Sequence, residues 1–442
     1  MLAAMPPPAV SPADPSGAPP SRGRGDACPG ALRLHRADDG ALARVRVPGG
    51  LLTADRADTL GAAAQALGDG EVHLTSRGNV QLRGLRPDCG GELAGRLGAA
   101  GLLPSVRHER VRNVVASPLS GLDGRGVRDV GPWLLELDAL LCADERAAGL
   151  SGRFLFVLDD GRGDVDALGG DVSLLALDGA WALLRIGTAG SVLRVPAAQA
   201  PRAALVAAGA FLERAPDTGV WRVSDLPGGG DGLLGPVAER LREAGVDVAA
   251  AGHRECPGRS DGPVPGIVTG APSGTAALSA GLPLGRATAA QWRTLVETAR
   301  HHGRGELRLT PWRGVVVPGV EEREAAGALD ALAAAGLVVA PDSPWAGVGS
   351  CIGRPGCARS LADVRAEAAA SVRAVGQLPV YWSGCERRCG HPRGTWVDVV
   401  AAPGGRHHVS VVRDGERGTH VPVADGPDGL AAAVAAARRA HG

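Results

Sequence analysis

The chain contains no lysine, so all 47 of its basic residues are arginine, and 47 acidic residues balance them to a formal net charge of zero. That balance removes the broad electrostatic attraction a nucleic acid or an anionic membrane would need, and neither is expected as a partner. Aromatic residues make up 3 % of the 442 residues, with one Tyr and three Phe. With abundant Ala and Gly this points to compositional bias, so an Arg where Lys would serve carries little meaning. No apolar run approaches the roughly 18 to 20 residues of a membrane span. The first residues, MLAAMPPPAVSPADPSGAPPSRGRGDA, lack the apolar segment of a signal peptide and read as a disordered leader of a cytoplasmic protein. Also missing are a P-loop, an HExxH pair, a nucleophile elbow and a strand-linked dinucleotide glycine fingerprint.

An internal repeat is present. Residues 53–75 and 288–310 align without a gap, with identities at Thr53/Thr288, Ala54/Ala289, Leu60/Leu295, Gly68/Gly303, Gly70/Gly305, Glu71/Glu306 and Thr75/Thr310 among others. Each copy predicts an N-capping Thr, an Ala-rich helix, a Gly-x-Gly stop and a short strand. A longer module follows each copy. The first holds the strand-like runs GRFLFVLDDG, DVSLLAL and AWALLRIG; the second holds LPVYWSG, TWVDVVAA and HHVSVVRDG, with ADVRAEAAASVRAV expected as a helix.

Eight Cys are unevenly spread. Cys351 and Cys357 form a Cys-x5-Cys pair, and Cys385 and Cys389 a Cys-x3-Cys pair. Four soft thiolates suit an iron-sulfur cluster or zinc, and the five-residue gap containing Gly353, Pro355 and Gly356 is wide for a zinc knuckle. Redox-active thiols remain a third reading. Cys28, Cys89, Cys142 and Cys256 are isolated and read as ordinary small residues. The pairs His301-His302 and His407-His408 read as exposed, because adjacent side chains diverge.

Three arginine-bearing segments are candidates for binding anions. In LTSRGNVQLRGL, strand alternation places Thr75, Arg77, Asn79, Gln81 and Arg83 on one face, a row suited to a ligand with several carboxylates. RVRNVVASP contributes Arg112 and Asn113, and LSGRFLFVLDDG contributes Arg153. Each of these two alone is weak, since an Arg leading into an apolar strand is commonly a snorkelling side chain.

Together these motifs resemble the nitrite and sulfite reductase superfamily: the two Cys pairs match its cluster signature, and TSRGNVQLRG, RNVVASP and GRFLFVLDDG match its arginine motifs. The resemblance implies an α+β fold, a pseudo-twofold repeat of ferredoxin-like half-domains and larger α/β domains. With the Pro-rich leader over 1–27 and a Pro- and Gly-rich span over 255–280 that reads as a linker, it implies a half-domain over 28–104, a large domain over 105–254, a half-domain over 281–344 and a cluster-bearing domain over 345–442. It further implies that Cys351, Cys357, Cys385 and Cys389 hold a 4Fe-4S cluster, with Cys389 facing a tetrapyrrole and His391 near the cluster. ACPGALRLHRADDGALARVRVPGG, LRLTPWRG and the short length look like the precorrin-3B synthase branch. In siroheme reductases two basic residues flank the Phe of the GRF motif; here Arg153 fills one position and Leu155 the other. That branch implies a monooxygenase with precorrin-3A as substrate, NADH as reductant, an electron-donating reductase and a mononuclear non-haem iron whose ligands no spacing identifies. Arg77, Arg83, Arg112, Arg153 and Arg313 would bind carboxylates, and Asn79, Gln81 and Asn113 would orient the ring. The alternative is a siroheme-dependent sulfite or nitrite reductase.

Overall fold

The computed structural model describes residues 26, 28–252, 262–270, 274–372, 376–392, 394–413, 415–421, 423 and 426–439. The expected leader, apart from Asp26, and Cys256 lie outside them.

The first half-domain runs β1 (His35–Ala37), β2 (Gly40–Val45), β3 (Leu51–Thr53), α1 (Ala54–Leu67), β4 (Val72–Leu74), β5 (Val80–Leu85) and α2 (Gly90–Ala99). The Thr53 side chain accepts from the Arg56 amide and caps α1 as the sequence predicts. A larger unit follows: β6 (Val114–Ala116), α3 (Gly131–Ala143), β7 (Phe156–Asp159), β8 (Val172–Ala176), β9 (Trp181–Ile186), β10 (Val192–Pro196), α4 (Ala200–Thr218), α5 (Asp231–Glu243) and β11 (Ala249–Ala251). The second half-domain has β12 (Gly266–Val268), β13 (Thr275–Gly281), β14 (Arg286–Ala287), α6 (Ala289–His301), β15 (Glu306–Leu309), β16 (Gly314–Glu321) and α7 (Glu322–Ala334). The last unit has β17 (Val348–Ser350), α8 (Val364–Ser371), β18 (Val380–Ser383), β19 (Trp396–Ala402), β20 (Arg406–Arg413), β21 (Glu416–Val421) and α9 (Pro427–Arg439).

The span 255–280, read as linker from its Pro and Gly content, therefore contains β12 and most of β13. Both belong to the second half-domain sheet, where β13 pairs antiparallel with β16. Alternation in TAALSAG is masked by its small residues, which is why composition favoured a loop.

The two half-domains exchange strands. The first sheet runs β1-β2-β5-β4-β14 and the second β12-β13-β16-β15-β3, so each sheet ends on a strand from the other copy. Helices α1 and α6 pack across the pseudo-twofold axis; the Trp292 indole donates to the Ala57 carbonyl at 2.8 Å. One apolar core, including Leu52, Leu60, Trp292 and Leu295, spans both copies.

The two larger sheets share one topology. In each, two parallel pairings (β6-β7-β8 and β17-β18-β19) give way to antiparallel strands. All three Phe of the chain, Phe154, Phe156 and Phe211, meet in the core of the first, with ring centroids 5.1 and 5.3 Å apart. Trp382 anchors the core of the second. Among the described residues no helix is long and apolar enough to cross a membrane.

Candidate functional site

The parallel strands β17 and β18 lie side by side with Ser350 in register with Trp382, so both Cys pairs leave the same carboxyl edge of one sheet. Cys351 follows β17 directly, its amide donating to the Trp382 carbonyl at 2.9 Å. Cys385 and Cys389 lie in the loop after β18. The four thiols are unpaired by disulfides, and they share an electrostatic neighbourhood. Burial raises the Cys351 pKa, and Cys385 and Cys389 add to the rise; burial likewise raises Cys389, with Cys385 and Cys357 contributing. The Gly384 amide donates to Cys351 Sγ at 3.2 Å. Four neighbouring thiols with a backbone N–H donor at Cys351 are the soft donor set that suits an iron-sulfur cluster.

The β1–β2 turn grips this loop. Arg83 forms a two-pronged pair with Asp39 (2.9 and 2.8 Å) and donates to the Gly356 carbonyl at 3.2 Å, and the Ala358 amide donates to Asp38 at 2.6 Å. A Cβ at Gly356 would lie 2.6 to 3.0 Å from Ile352, Asp39 and Arg83, so only Gly fits between the Cys pair and this clamp.

Beside the thiols lies a cavity of about 290 Å³, lined by Cys351, Cys389, Tyr381 and residues of the first half-domain. Five arginines line it (Arg44, Arg46, Arg77, Arg313 and Arg365) and no carboxylate does. Their partners are mostly neutral. Arg46 donates to the carbonyls of Arg110 and Gly152 and to the Cys28 thiol at 3.1 Å, Arg77 to the Arg153 carbonyl, and Arg365 contacts His73 Nδ1 at 3.4 Å. The Nε atoms of Arg44, Arg313 and Arg365 are buried with no hydrogen-bond partner. Burial lowers Arg77 to about 9 and Arg365 to about 10, and it lowers Arg44, with the Arg46 charge adding to the shift. Arg77 and Arg365 remain cationic at neutral pH, which leaves positive charge facing an open volume.

The residues nominated from sequence separate into two groups. Arg77, Gln81 and Arg313 line the cavity, as do Thr75 and Asn79. Arg313 does so from the β15–β16 turn and the others from a hairpin rather than one strand: β4 ends at Leu74, Thr75–Gly78 turn, and β5 starts at Val80, so the expected single-faced row does not exist. Gly78 has a φ of 65°, which closes the turn and interrupts the alternation. Asn79 is fully buried and its amide is engaged on both sides, accepting from the Val47 amide and donating to Asn113 Oδ1; Asn113 in turn donates to the Phe154 carbonyl. These two residues brace the half-domain against the large domain.

Arg83, Arg112 and Arg153 are absent from the lining. Arg83 holds the Cys loop, and Arg112 makes a buried two-pronged pair with Asp138 (2.7 Å at each oxygen). Arg153 lends the cavity wall its carbonyl, while its half-buried side chain acts on Asp225. Leu155 is buried against Val115, Val157 and Trp312, so no cation stands there. His391 stacks on Trp396 with ring centroids 5.3 Å apart, close to Cys389. His301, His302 and His408 are exposed, whereas His407 is half-buried and paired with Glu367.

Sequence reasoning missed Arg44, Arg46 and Arg365. Arg44 on β2 and Arg46 just past its end alternate in ALARVRV, a pattern that was legible; nothing in α8 marks Arg365. Also missed was His73, buried at the cavity wall, where Asp69 Oδ2 lies 3.3 Å from Nε2 and Glu71 3.7 Å. Burial lowers the His73 pKa against the pull of Asp69.

The twofold array of half-domains is the feature that the comparisons address. The model of the nitrite/sulfite reductase ferredoxin-like half domain matches residues 34–100 and 270–335. Each copy of the repeat therefore carries one match to that half-domain. It is similar to a precorrin-3B synthase of Sinorhizobium, 28 % identical over 86 % of this chain and 82 % of that one. It is also similar to the ferredoxin–nitrite reductase of Synechococcus elongatus, 26 % identical over 82 % of this chain and 76 % of the other. The solved Mycobacterium tuberculosis NirA protein shares the fold, with a TM-score of 0.67 and 17 % identity over 89 % of this chain and 79 % of that one.

Proposed function

We propose that the protein is a precorrin-3B synthase-like monooxygenase that converts precorrin-3A to precorrin-3B, hydroxylating C20 and closing a γ-lactone from the ring A acetate. One observation carries the reading: among the described residues, five arginines line one cavity that no carboxylate lines, and three of them have buried Nε atoms without a hydrogen-bond partner. Uncompensated buried guanidinium groups are costly, and a ligand with several carboxylates supplies their partners. The half-domain match and the similarity to a precorrin-3B synthase support a tetrapyrrole as that ligand.

Cys351, Cys357, Cys385 and Cys389 would hold a 4Fe-4S cluster, which supplies one-electron transfer when bound. Arg44, Arg77, Arg313 and Arg365 would bind the acetate and propionate groups. Gln81, which accepts from Arg44, would set the ring's rotation. Tyr381, whose hydroxyl donates to the Cys389 carbonyl at 2.7 Å, would separate ligand from cluster loop. One oxygen atom of dioxygen enters the product and the other leaves as water, drawing two electrons and a proton from NADH and a second proton from solvent. A separate reductase would deliver the electrons, and a mononuclear non-haem iron would activate the dioxygen. Leu155, where a second cation would hold sulfite or nitrite, disfavours the siroheme reductase alternative.

The test is anaerobic reconstitution with iron and sulfide, followed by precorrin-3A, NADH, a reductase and labelled dioxygen. A product carrying one labelled oxygen is expected. Intense siroheme bands in the purified protein, with an unlabelled product, would establish the alternative instead.

A further inference from the structure

The internal repeat provides its own control on backbone conformation. At a constant offset of 235 it extends to Pro48-Gly49-Gly50 against Pro283-Leu284-Gly285, and to Thr75-Ser76-Arg77-Gly78 against Thr310-Pro311-Trp312-Arg313. The backbones correspond: φ is 61° at Gly49 and 54° at Leu284, 65° at Gly78 and 60° at Arg313. These are left-handed values that glycine adopts freely and other residues rarely do. The second copy keeps the conformation yet places side chains where the first has none. Strain of this kind persists where the surroundings over-determine it.

Both side chains reach one wall. Leu284 and Arg313, with Gly285 and Tyr381, line the arginine-rich cavity and also a second cavity of about 270 Å³ behind it. The Arg313 side chain lies over Gly285, where a Cβ would stand 2.4 Å from Arg313 Cδ. The second cavity differs in chemistry. Trp312, Trp345, Val338, Val348 and Pro379 line it, and among the described residues its only ionisable side chains are Arg313 and Tyr381, on the shared wall. It extends to the surface, where Val264 is 63 % exposed and Pro341 is exposed.

We infer that this apolar cavity is the site and route for dioxygen, and that Leu284 and Arg313 form the partition dividing it from the carboxylate-binding cavity. The inference rests on the monooxygenase reading. A small apolar gas enters an apolar cavity that water gains little by filling, whereas a polyanion is held by the arginines on the other side. The partition then presents the gas to the edge of the tetrapyrrole nearest Arg313 and keeps solvent from following.

Xenon is the probe, since it occupies apolar cavities without needing turnover. Wild-type protein is expected to bind xenon there, seen by xenon NMR or as density in pressurised crystals. Ala346→Phe and Val338→Phe each fill the cavity from residues that do not touch the first one. Either is expected to abolish the xenon signal and raise KM for dioxygen several-fold with tetrapyrrole affinity unchanged. Arg313→Gly, restoring the residue of the first copy, is expected to keep or raise the melting temperature while lowering labelled product per NADH consumed. Labelled product from a wild-type protein that binds no xenon would overturn the cavity's assignment alone. Xenon binding with no label in the product would overturn the monooxygenase reading and the dioxygen assignment with it. A rise in KM for the tetrapyrrole rather than for dioxygen would assign the cavity to the macrocycle.

Discussion

Arginines of one chemical type serve opposite purposes in this chain, and their partners decide which. Arg112 finds Asp138 and Arg83 finds Asp39, so both charges are spent inside the fold. Arg44, Arg77 and Arg365 find carbonyls, an amide or a neutral imidazole, and their charge is left for a ligand. Arg77→Ala or Arg365→Ala is therefore expected to weaken binding of a carboxylate-rich tetrapyrrole by about 10- to 150-fold, the range for losing a charge-assisted hydrogen bond, with little change in melting temperature. Equilibrium titration beside thermal unfolding checks this. Arg112→Ala should do the reverse, costing about 3 kcal/mol of stability by stranding Asp138, with tetrapyrrole affinity retained once the variant is folded.

At the scale of elements, the loops after β17 and β18 hold the four cysteines. Substituting Ser for any one of Cys351, Cys357, Cys385 or Cys389 should remove acid-labile sulfide and iron from the reconstituted protein, whereas Cys89→Ser should leave both at wild-type levels. The end of β7 and the loop after it gather Asp159, Asp160 and Asp164, all buried. Asp160 pairs with Arg162, and Asp159 accepts from four backbone amides. Asp164 is pushed up to about 7 by burial and by the Asp159 charge. In the unfolded chain it titrates near 3.9. Between those values the folded state keeps a proton that the unfolded state has released, so stability falls as pH rises from about 4 to 7 and levels off above. Asp164→Asn, which keeps the acceptor for Ser117, should flatten that slope and raise the melting temperature at pH 8 relative to wild type.

For the whole molecule, the exchange of β3 and β14 ties the two halves into one cooperative unit. Each half-domain sheet lacks an edge strand without the other copy, and the α1–α6 contact buries Trp292 in a core belonging to both. A Cβ at Gly61 would come within 2.7 Å of the Trp292 ring. Gly61→Val should therefore destabilise the entire chain in a single transition, by about 1 to 3 kcal/mol for overpacking, read by chemical denaturation with probes in both halves. The same unity assembles the site: the cavity draws Arg44, Arg46 and Arg77 from the first half-domain, Arg313 from the second, and Arg365 and the thiols from the last unit.

The repeat, the capping threonines, the four cysteines and the mixed α and β architecture were readable from the chain, because each is a local pattern of spacing or propensity. Local patterns do not report partners. Whether an arginine is neutralised depends on a carboxylate 26 or 44 residues away meeting it, and a turn closed by Gly78 broke a row that alternation alone predicts. The strand exchange was hidden for a related reason: β3 and β14 are so short that their pairing is settled by which sheet edge lies within reach. Composition and spacing determined that this protein has twofold-related modules and two closely spaced cysteine pairs. Tertiary structure decided which charges stay uncompensated and where two cavities meet, since burial and pairing are properties of distance in space.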